Sequence, residues 1–125
     1  MAHILVVDDE PTIRVAMLRA LAAAGHTVSE AADGRRALKL LQAESADLVI
    51  TDLVMADQDG IETITALRHL FPALPVIAMS GAMPHAPLYL EIATHLGVRR
   101  TLSKPFTVAT LLNAVDYALE RACAV

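Results

Sequence analysis

Short apolar runs alternate along the chain with longer stretches of helical periodicity. Three runs are apolar without interruption, as expected of strands buried on both faces of a parallel sheet: residues 4–7, 48–50 and 76–79. Two other runs mix apolar and polar residues, which is typical of strands at the edges of a sheet. The pattern predicts five strands, at residues 3–7, 27–31, 47–51, 75–79 and 98–102.

Apolar residues recur at spacings of three and four between these runs, which predicts five helices, at residues 10–24, 34–44, 60–70, 86–95 and 107–122. Pro11 is tolerated in the first turn of the first helix, and Gly25 provides a stop signal at its end. Asp33 and Thr107 are candidate N-caps of the second and fifth helices. Each helix therefore lies between, or directly after, predicted strands.

Strict alternation of strands and helices predicts a parallel sheet covered by helices on both faces. The first, third and fourth strands are the apolar ones, so we place them inside and the second and fifth strands at the edges. The resulting order, 2-1-3-4-5, is that of a flavodoxin-like (βα)5 three-layer sandwich. A chain of 125 residues suits one domain, and we expect residues 1–125 to form it.

Composition narrows the classes of function. Apolar residues make up 55% of the chain and aromatic residues 3%, which indicates an aliphatic core rather than a disordered segment. A net charge of −4 without a basic stripe argues against nucleic-acid binding. The single cysteine, Cys123, cannot form an internal disulfide, and neither a signal peptide nor a membrane span is evident. We expect a soluble, cytoplasmic protein that does not bind membranes.

Polar residues cluster where the strands end. Asp8 and Asp9 follow the first strand, and Asp52 follows the third, which is its neighbour in the predicted order. Open parallel sheets bind ligands at this switch point, outside the carboxyl ends of the strands. Ser80 and Lys104 follow the fourth and fifth strands and line the same edge. Three acids together repel one another unless a cation lies among them, so the pattern predicts a site for a hard metal ion and a phosphate.

The chemistry of such a site follows from its residue types. Mg²⁺ takes one or two carboxylates and keeps several waters. Asp9 and Asp52 could supply the direct ligands, with Asp8 acting through a water. A carboxylate can also accept a phosphoryl group, and Lys104 could neutralise it while Ser80 donates a hydrogen bond.

Motifs over almost the whole chain resemble the receiver domain of bacterial two-component response regulators, of the single-domain type. The matching residues, in order, are Ile4 to Pro11, Ala32-Asp33-Gly34 with Ala37-Leu38, Asp47 to Met55 with Asp59-Gly60, Pro75 to Gly81, and Leu102 to Phe106. The resemblance implies that Asp52 is the phosphoacceptor and receives its phosphoryl group from a sensor histidine kinase or a phosphotransfer protein. It also implies Mg²⁺ as cofactor, held by Asp8, Asp9, Asp52 and the backbone carbonyl of Val54.

The resemblance further implies a switch. Ser80 matches the switch hydroxyl, Lys104 matches the lysine that pairs with the phosphate, and the Lys104–Pro105 peptide bond is expected to be cis. The surface of the fourth helix, fifth strand and fifth helix is expected to change. An unidentified downstream protein is expected to bind there, and the same surface is a candidate interface for a homodimer. Thr101 departs from the family, which usually has an aromatic residue at this position.

Other interpretations of these residues remain open at this point. Asp8 and Asp9 could simply cap the first helix, as acids often do. A phosphatase that forms an aspartyl phosphate would need a second acid two residues after its nucleophile, where this chain has Val54. A receiver-like interaction module that acts without phosphorylation is the main alternative function.

Overall fold

The computed structural model describes residues 2–53, 60–81 and 86–123. Within these residues, five strands alternate with five helices, as predicted. The strands are β1 (His3–Val7), β2 (Thr27–Ala31), β3 (Leu48–Asp52), β4 (Val76–Ser80) and β5 (Arg100–Ser103), and the helices are α1 (Pro11–Ala23), α2 (Gly34–Ala43), α3 (Gly60–Leu70), α4 (Ala86–His95) and α5 (Val108–Cys123). Among the described residues, no helix is both long and apolar enough to cross a membrane.

The strands form one sheet in the order β2-β1-β3-β4-β5, and every neighbouring pair is parallel. The predicted order and the flavodoxin-like fold are therefore confirmed. β1 pairs with β3 from Ile4 opposite Leu48 to Val7 opposite Thr51. This register brings the ends of the two strands, and the residues that follow them, to the same edge of the sheet.

Alternation along the three central strands divides the core into two layers. Ile4, Val6 and Ile50 belong to the layer that packs against α1 and α5. Leu5 and Val49 belong to the opposite layer, which packs against α2, α3 and α4. Successive side chains of a strand point to opposite faces, so a strand buried on both sides must be apolar throughout. The edge strands β2 and β5 contain both apolar and polar residues, because most of their positions remain partly or fully exposed to solvent.

Three strands, β3, β4 and β5, begin later than predicted, and hydrogen bonds of the residues that precede β3 and β5 explain two of the shifts. Asp47 lies before β3 because its carboxylate accepts a hydrogen bond from the backbone N–H of His3 at 2.8 Å. The segment before β5 still completes the end of α4, since the N–H of Val98 donates to the carbonyl of Ala93. The shift of β3 has a consequence for the site, because Asp52 becomes the last residue of the strand itself.

The predicted helix signals have the expected geometry. The carboxylate of Asp33 accepts from the N–H of Arg36 at 2.8 Å, and the hydroxyl of Thr107 accepts from the N–H of Thr110 at 3.1 Å. Pro11 is the first residue of α1. Gly25 follows that helix with a φ of 97°, a conformation that glycine adopts without strain.

Candidate functional site

Three carboxylates meet at the edge of the sheet where β1 and β3 end. One oxygen from each of Asp8, Asp9 and Asp52 lies within 4.8 Å of the others. The side chains differ in burial, since Asp8 is fully buried and Asp52 is 6% exposed. Within the part of the chain that the structure describes, this is the one group of three acidic, histidine or cysteine side chains close enough to share a metal ion.

Lys104 lies between two of these acids. Its ammonium nitrogen Nζ donates to Oδ2 of Asp8 at 2.7 Å and to Oδ2 of Asp52 at 2.8 Å. Burial by itself lowers the pKa of Lys104, but hydrogen bonds and charges from Asp52 and Asp8 outweigh it and raise the pKa above its ordinary value. The repulsion expected among the acids is therefore offset by a cation that belongs to the protein.

The backbone holds Lys104 in place. Its N–H donates to the carbonyl of Ser80 at 2.7 Å, which ties the residue after β5 to the end of β4. The Lys104–Pro105 peptide bond is cis. Lys104 thus reaches the acids from the far side of β4, after a strand that is three positions away from β1 and two positions away from β3 in the sheet.

Asp8 is fixed by contacts at both its backbone and its carboxylate. Its N–H donates to the carbonyl of Ala31 at 3.2 Å, and its Oδ1 accepts from the N–H of Glu10 at 2.9 Å. Glu10, not Asp8, occupies the N-cap position of α1. Helix capping alone therefore does not account for Asp8, because its second carboxylate oxygen is bound to Lys104.

Ser80 lies at the same edge of the sheet, but its hydroxyl is bonded to the neighbouring backbone and not to the carboxylates that Lys104 binds. It is the last residue of β4, is 2% exposed, and its hydroxyl donates to the carbonyl of Gly81 at 3.1 Å. Its neighbour Met79 is the residue opposite Asp52 in the sheet. Thr101 lies in β5 with an exposed side chain.

Gly60 packs directly against the strand that carries Asp52. A Cβ atom at this position would lie 2.2 Å from the carbonyl oxygen of Asp52 and 2.4 Å from the Cα of Leu53. The N–H of Gly60 also donates to the carbonyl of Leu53 at 2.8 Å. Only glycine allows α3 to begin this close to the end of β3. The expected carbonyl ligand, that of Val54, lies outside the described residues.

Arg14 is a residue of the site that the sequence pattern did not reveal. Its guanidinium Nη1 donates to the backbone carbonyl of Asp8 at 2.6 Å, and its Nε donates to Oε1 of Glu30 at 3.0 Å. The available signal was a cation in the first turn of the helix that follows two acids. The sequence does not show that the side chain turns back towards the acids.

The donor set fits a hard divalent cation. All three side chains offer carboxylate oxygens, and Mg²⁺ prefers oxygen ligands at about 2.0–2.1 Å together with several waters. Oxygens within 4.8 Å of one another are close enough to surround one ion directly or through a water. The same edge also presents an ammonium group, which suits a phosphoryl group beside the metal.

The fold and site together define a flavodoxin-like α/β protein with an acidic crevice at its topological switch point. The family model of the response regulator receiver domain matches residues 4–116, and the chain belongs to this family. It is therefore a receiver domain of two-component signalling, a class of domain that interacts with histidine kinases or phosphotransfer proteins.

Individual relatives agree with this assignment. The chain is 36% identical over 122 residues to the transcriptional regulatory protein GlrR of Escherichia coli, covering 96% of this chain and 27% of GlrR. Among solved structures, chemotaxis protein CheY4 of Vibrio cholerae is 32% identical with a TM-score of 0.87, covering 95% of this chain and 99% of CheY4. NtrX of Brucella abortus is 30% identical with a TM-score of 0.91, covering 98% of this chain and 27% of NtrX. The chain thus spans about a quarter of GlrR and NtrX but nearly all of CheY4.

Proposed function

We propose that this chain is a phosphoacceptor switch that takes a phosphoryl group onto Asp52 from the phosphohistidine of a kinase or phosphotransfer protein. The observation that carries the proposal is the double contact of Lys104, which binds the carboxylates of Asp8 and Asp52 inside a group of three acids. A lysine in that position, with a side chain that is 13% exposed, can neutralise new negative charge at Asp52. The chain is accordingly an acceptor in the reaction and not an enzyme that acts on other substrates.

The transfer itself is a displacement at phosphorus. One carboxylate oxygen of Asp52 forms the new P–O bond while the P–N bond of the phosphohistidine breaks. The imidazole nitrogen leaves with the electron pair of that bond, and the product is an acyl phosphate. Positioning and charge neutralisation dominate such transfers, and Lys104 supplies one of the cations needed.

Asp8, Asp9 and Asp52 are the residues that would hold Mg²⁺, together with the backbone carbonyl of Val54. When bound, Mg²⁺ would neutralise charge on the transferred group and orient it towards Asp52. Within the protein, the carboxylate of Asp8 keeps Lys104 in place. The backbone of Asp8 is itself held by the carbonyl of Ala31, and this determines the position of the next residue, Asp9. Two of the acids, Asp8 and Asp9, therefore depend on the loop between β1 and α1, whereas Asp52 is held at the end of β3.

The new charge on Asp52 is expected to change the protein's surface. Ser80 lies at the end of β4, next to β3, the strand that ends in Asp52, and its hydroxyl is our candidate donor to the phosphoryl group. Movement of Ser80 would alter the surface of α4, β5 and α5, where an unidentified partner or a second copy of the chain would bind. A phosphoryl group can shift the protein only by binding one conformation better than the other. In this proposal residues 1–125 act as one cytoplasmic receiver domain, with no direct role for nucleic acid or membrane.

Phosphoryl uptake from a small donor tests the proposal. We expect acetyl phosphate with Mg²⁺ to add one phosphoryl group to the intact protein, measured by mass spectrometry, and excess EDTA to prevent it. The adduct should be released by hydroxylamine, as an acyl phosphate is. Absence of any adduct under conditions that phosphorylate another receiver domain would favour an interaction module that acts without phosphorylation.

Magnesium is expected to stabilise the unphosphorylated protein. Binding of Mg²⁺ to the folded state alone raises the free energy of unfolding by about 2.7 kcal/mol when its concentration is about 100 times the dissociation constant. Melting temperature, measured with and without MgCl₂ at pH 7, should rise accordingly. Sodium chloride at equal ionic strength is the control, and an equal rise with both salts would contradict a specific metal site.

A further inference from the structure

We propose that Arg14 is a positioning residue for the metal-binding acids, which it holds through the backbone carbonyl of Asp8. This inference rests on the proposed function, since it assigns to the same site a residue that touches neither the phosphoryl group nor the metal. Arg14 lies in the first turn of α1, with a side chain that is 16% exposed. It acts through the peptide unit between Asp8 and Asp9.

The geometry is that of a two-pronged clamp. The guanidinium group donates from Nη1 to the carbonyl of Asp8 at 2.6 Å and from Nε to the carboxylate of Glu30 at 3.0 Å. A planar guanidinium offers two donors in fixed directions, so one side chain ties the loop after β1 to the end of β2. Glu30 lies opposite Val6 in the sheet, so the anchor belongs to the edge strand next to β1.

The clamped carbonyl belongs to the peptide unit that joins Asp8 to Asp9. Peptide units are planar, so fixing this carbonyl also fixes the direction in which the chain leaves for Asp9. The N–H and carboxylate of Asp8 are already bound to Ala31, Glu10 and Lys104. Arg14 supplies the contact to the remaining backbone group of Asp8, and that contact is the one that bears on Asp9.

Charge and positioning make opposite predictions for this arginine. Loss of a nearby positive charge would by itself tighten the binding of Mg²⁺, because the cation would be repelled less. Loss of positioning would weaken binding, and partners that orient metal ligands typically change metal affinity by about 10- to 100-fold. The sign of the change in affinity therefore separates the two roles.

The test compares Arg14→Gln with Arg19→Gln in the full chain. Arg19 is an exposed arginine on the same helix, farther from the acids, so the matched variant removes the same charge without the clamp. We expect Arg14→Gln to weaken Mg²⁺ binding about tenfold or more, measured by calorimetry, and Arg19→Gln to leave it nearly unchanged. Unchanged or tighter binding in Arg14→Gln would overturn the inference.

A second variant and a second readout cover the case in which Arg14→Gln does not fold. Arg14→Lys keeps the charge but cannot make both contacts in the same plane, so its Mg²⁺ binding should also weaken several-fold. In metal-free protein, the amide of Glu10 should exchange with solvent faster in Arg14→Lys than in the wild type, because its acceptor, Asp8, is less well held. If Arg14→Lys bound Mg²⁺ with the affinity of the wild type and its Glu10 amide exchanged at the wild-type rate, Arg14 would not position the acids. Failure of the wild type itself to bind Mg²⁺ would instead overturn the proposed function.

Discussion

Asp52→Asn is expected to abolish phosphoryl uptake from acetyl phosphate. The substitution preserves the size of the side chain but replaces the nucleophilic carboxylate by an amide, which does not form a stable acyl phosphate. Lys104 retains its second partner, Asp8, so the variant should still fold. Mass spectrometry of the intact protein after incubation with acetyl phosphate and Mg²⁺ measures the result, and the adduct should be undetectable.

Asp33→Asn is the matched control for this variant. Asp33 caps α2, and asparagine is an equally good N-cap, so the substitution removes one negative charge with little effect on stability. Its phosphoryl uptake should equal that of the wild type. If Asp52→Asn were modified as fast as the control, another residue would be the acceptor, and the assignment of Asp52 would be wrong.

Lys104→Met is expected to lower the free energy of unfolding by about 3 kcal/mol without Mg²⁺, or roughly 10 °C in melting temperature. Removing one partner of a buried ion pair leaves its counterpart uncompensated, and here two buried carboxylates, Asp8 and Asp52, lose the same cation. Urea denaturation at pH 7 in EDTA measures the loss. Mg²⁺ should stabilise the variant more than the wild type, because it replaces the missing positive charge.

The dependence on pH follows from the raised pKa of Lys104. Folding raises the pKa of Lys104, so its contribution to stability is complete below about pH 10.4, the ordinary pKa of lysine in an unfolded chain. That contribution declines as the pH rises through the pKa of Lys104 in the folded protein. The difference in stability between wild type and Lys104→Met should therefore narrow as the pH rises through the alkaline range. Lys39→Met, at an exposed position on α2, is the control and should stay within about 0.5 kcal/mol of the wild type. A loss of similar size in both variants would show that burial of the ion pair is not the cause.

Lys104→Met should also slow phosphoryl uptake by about 100-fold at saturating Mg²⁺, the usual effect of removing one group that stabilises charge in the transition state. The two effects have the same origin, since the ammonium group compensates charge at Asp52 before and after transfer.

Much of the fold could be predicted from local patterns. Uninterrupted apolar runs at Ile4 to Val7 and Leu48 to Ile50 require burial on both faces, and that requirement placed β1, β3 and β4 inside the sheet. Asp33 and Thr107 were recognisable as N-caps because capping depends on residues only three positions apart. The predicted starts of β3 and β5 were less accurate. Asp47 and Val98, which precede these strands, form hydrogen bonds that the local sequence does not indicate.

The residues of the site were also visible in the sequence, since acids at the ends of buried strands are conspicuous. Their connections were not. The pattern suggested Lys104 as a partner of a bound phosphoryl group, whereas the structure shows it bound to Asp8 and Asp52. Lys104 is 96 positions from Asp8 and 52 positions from Asp52 in the sequence, and the order of the strands brings it within 3 Å of both carboxylates. Hydrophobic periodicity implies that order, but it does not give the distances between the side chains.

The sequence by itself determined the number and type of the elements, their order in the sheet, and the edge at which the acids and the lysine collect. Those features follow from hydrophobic periodicity and from the position of polar residues at strand ends, which are local properties. Only the tertiary structure decided that Lys104 bridges two acids, that Gly60 must lack a side chain, and that Arg14 turns back to Asp8. Each of these depends on distances between separate elements, and such distances are set by packing of the whole sheet with its helices.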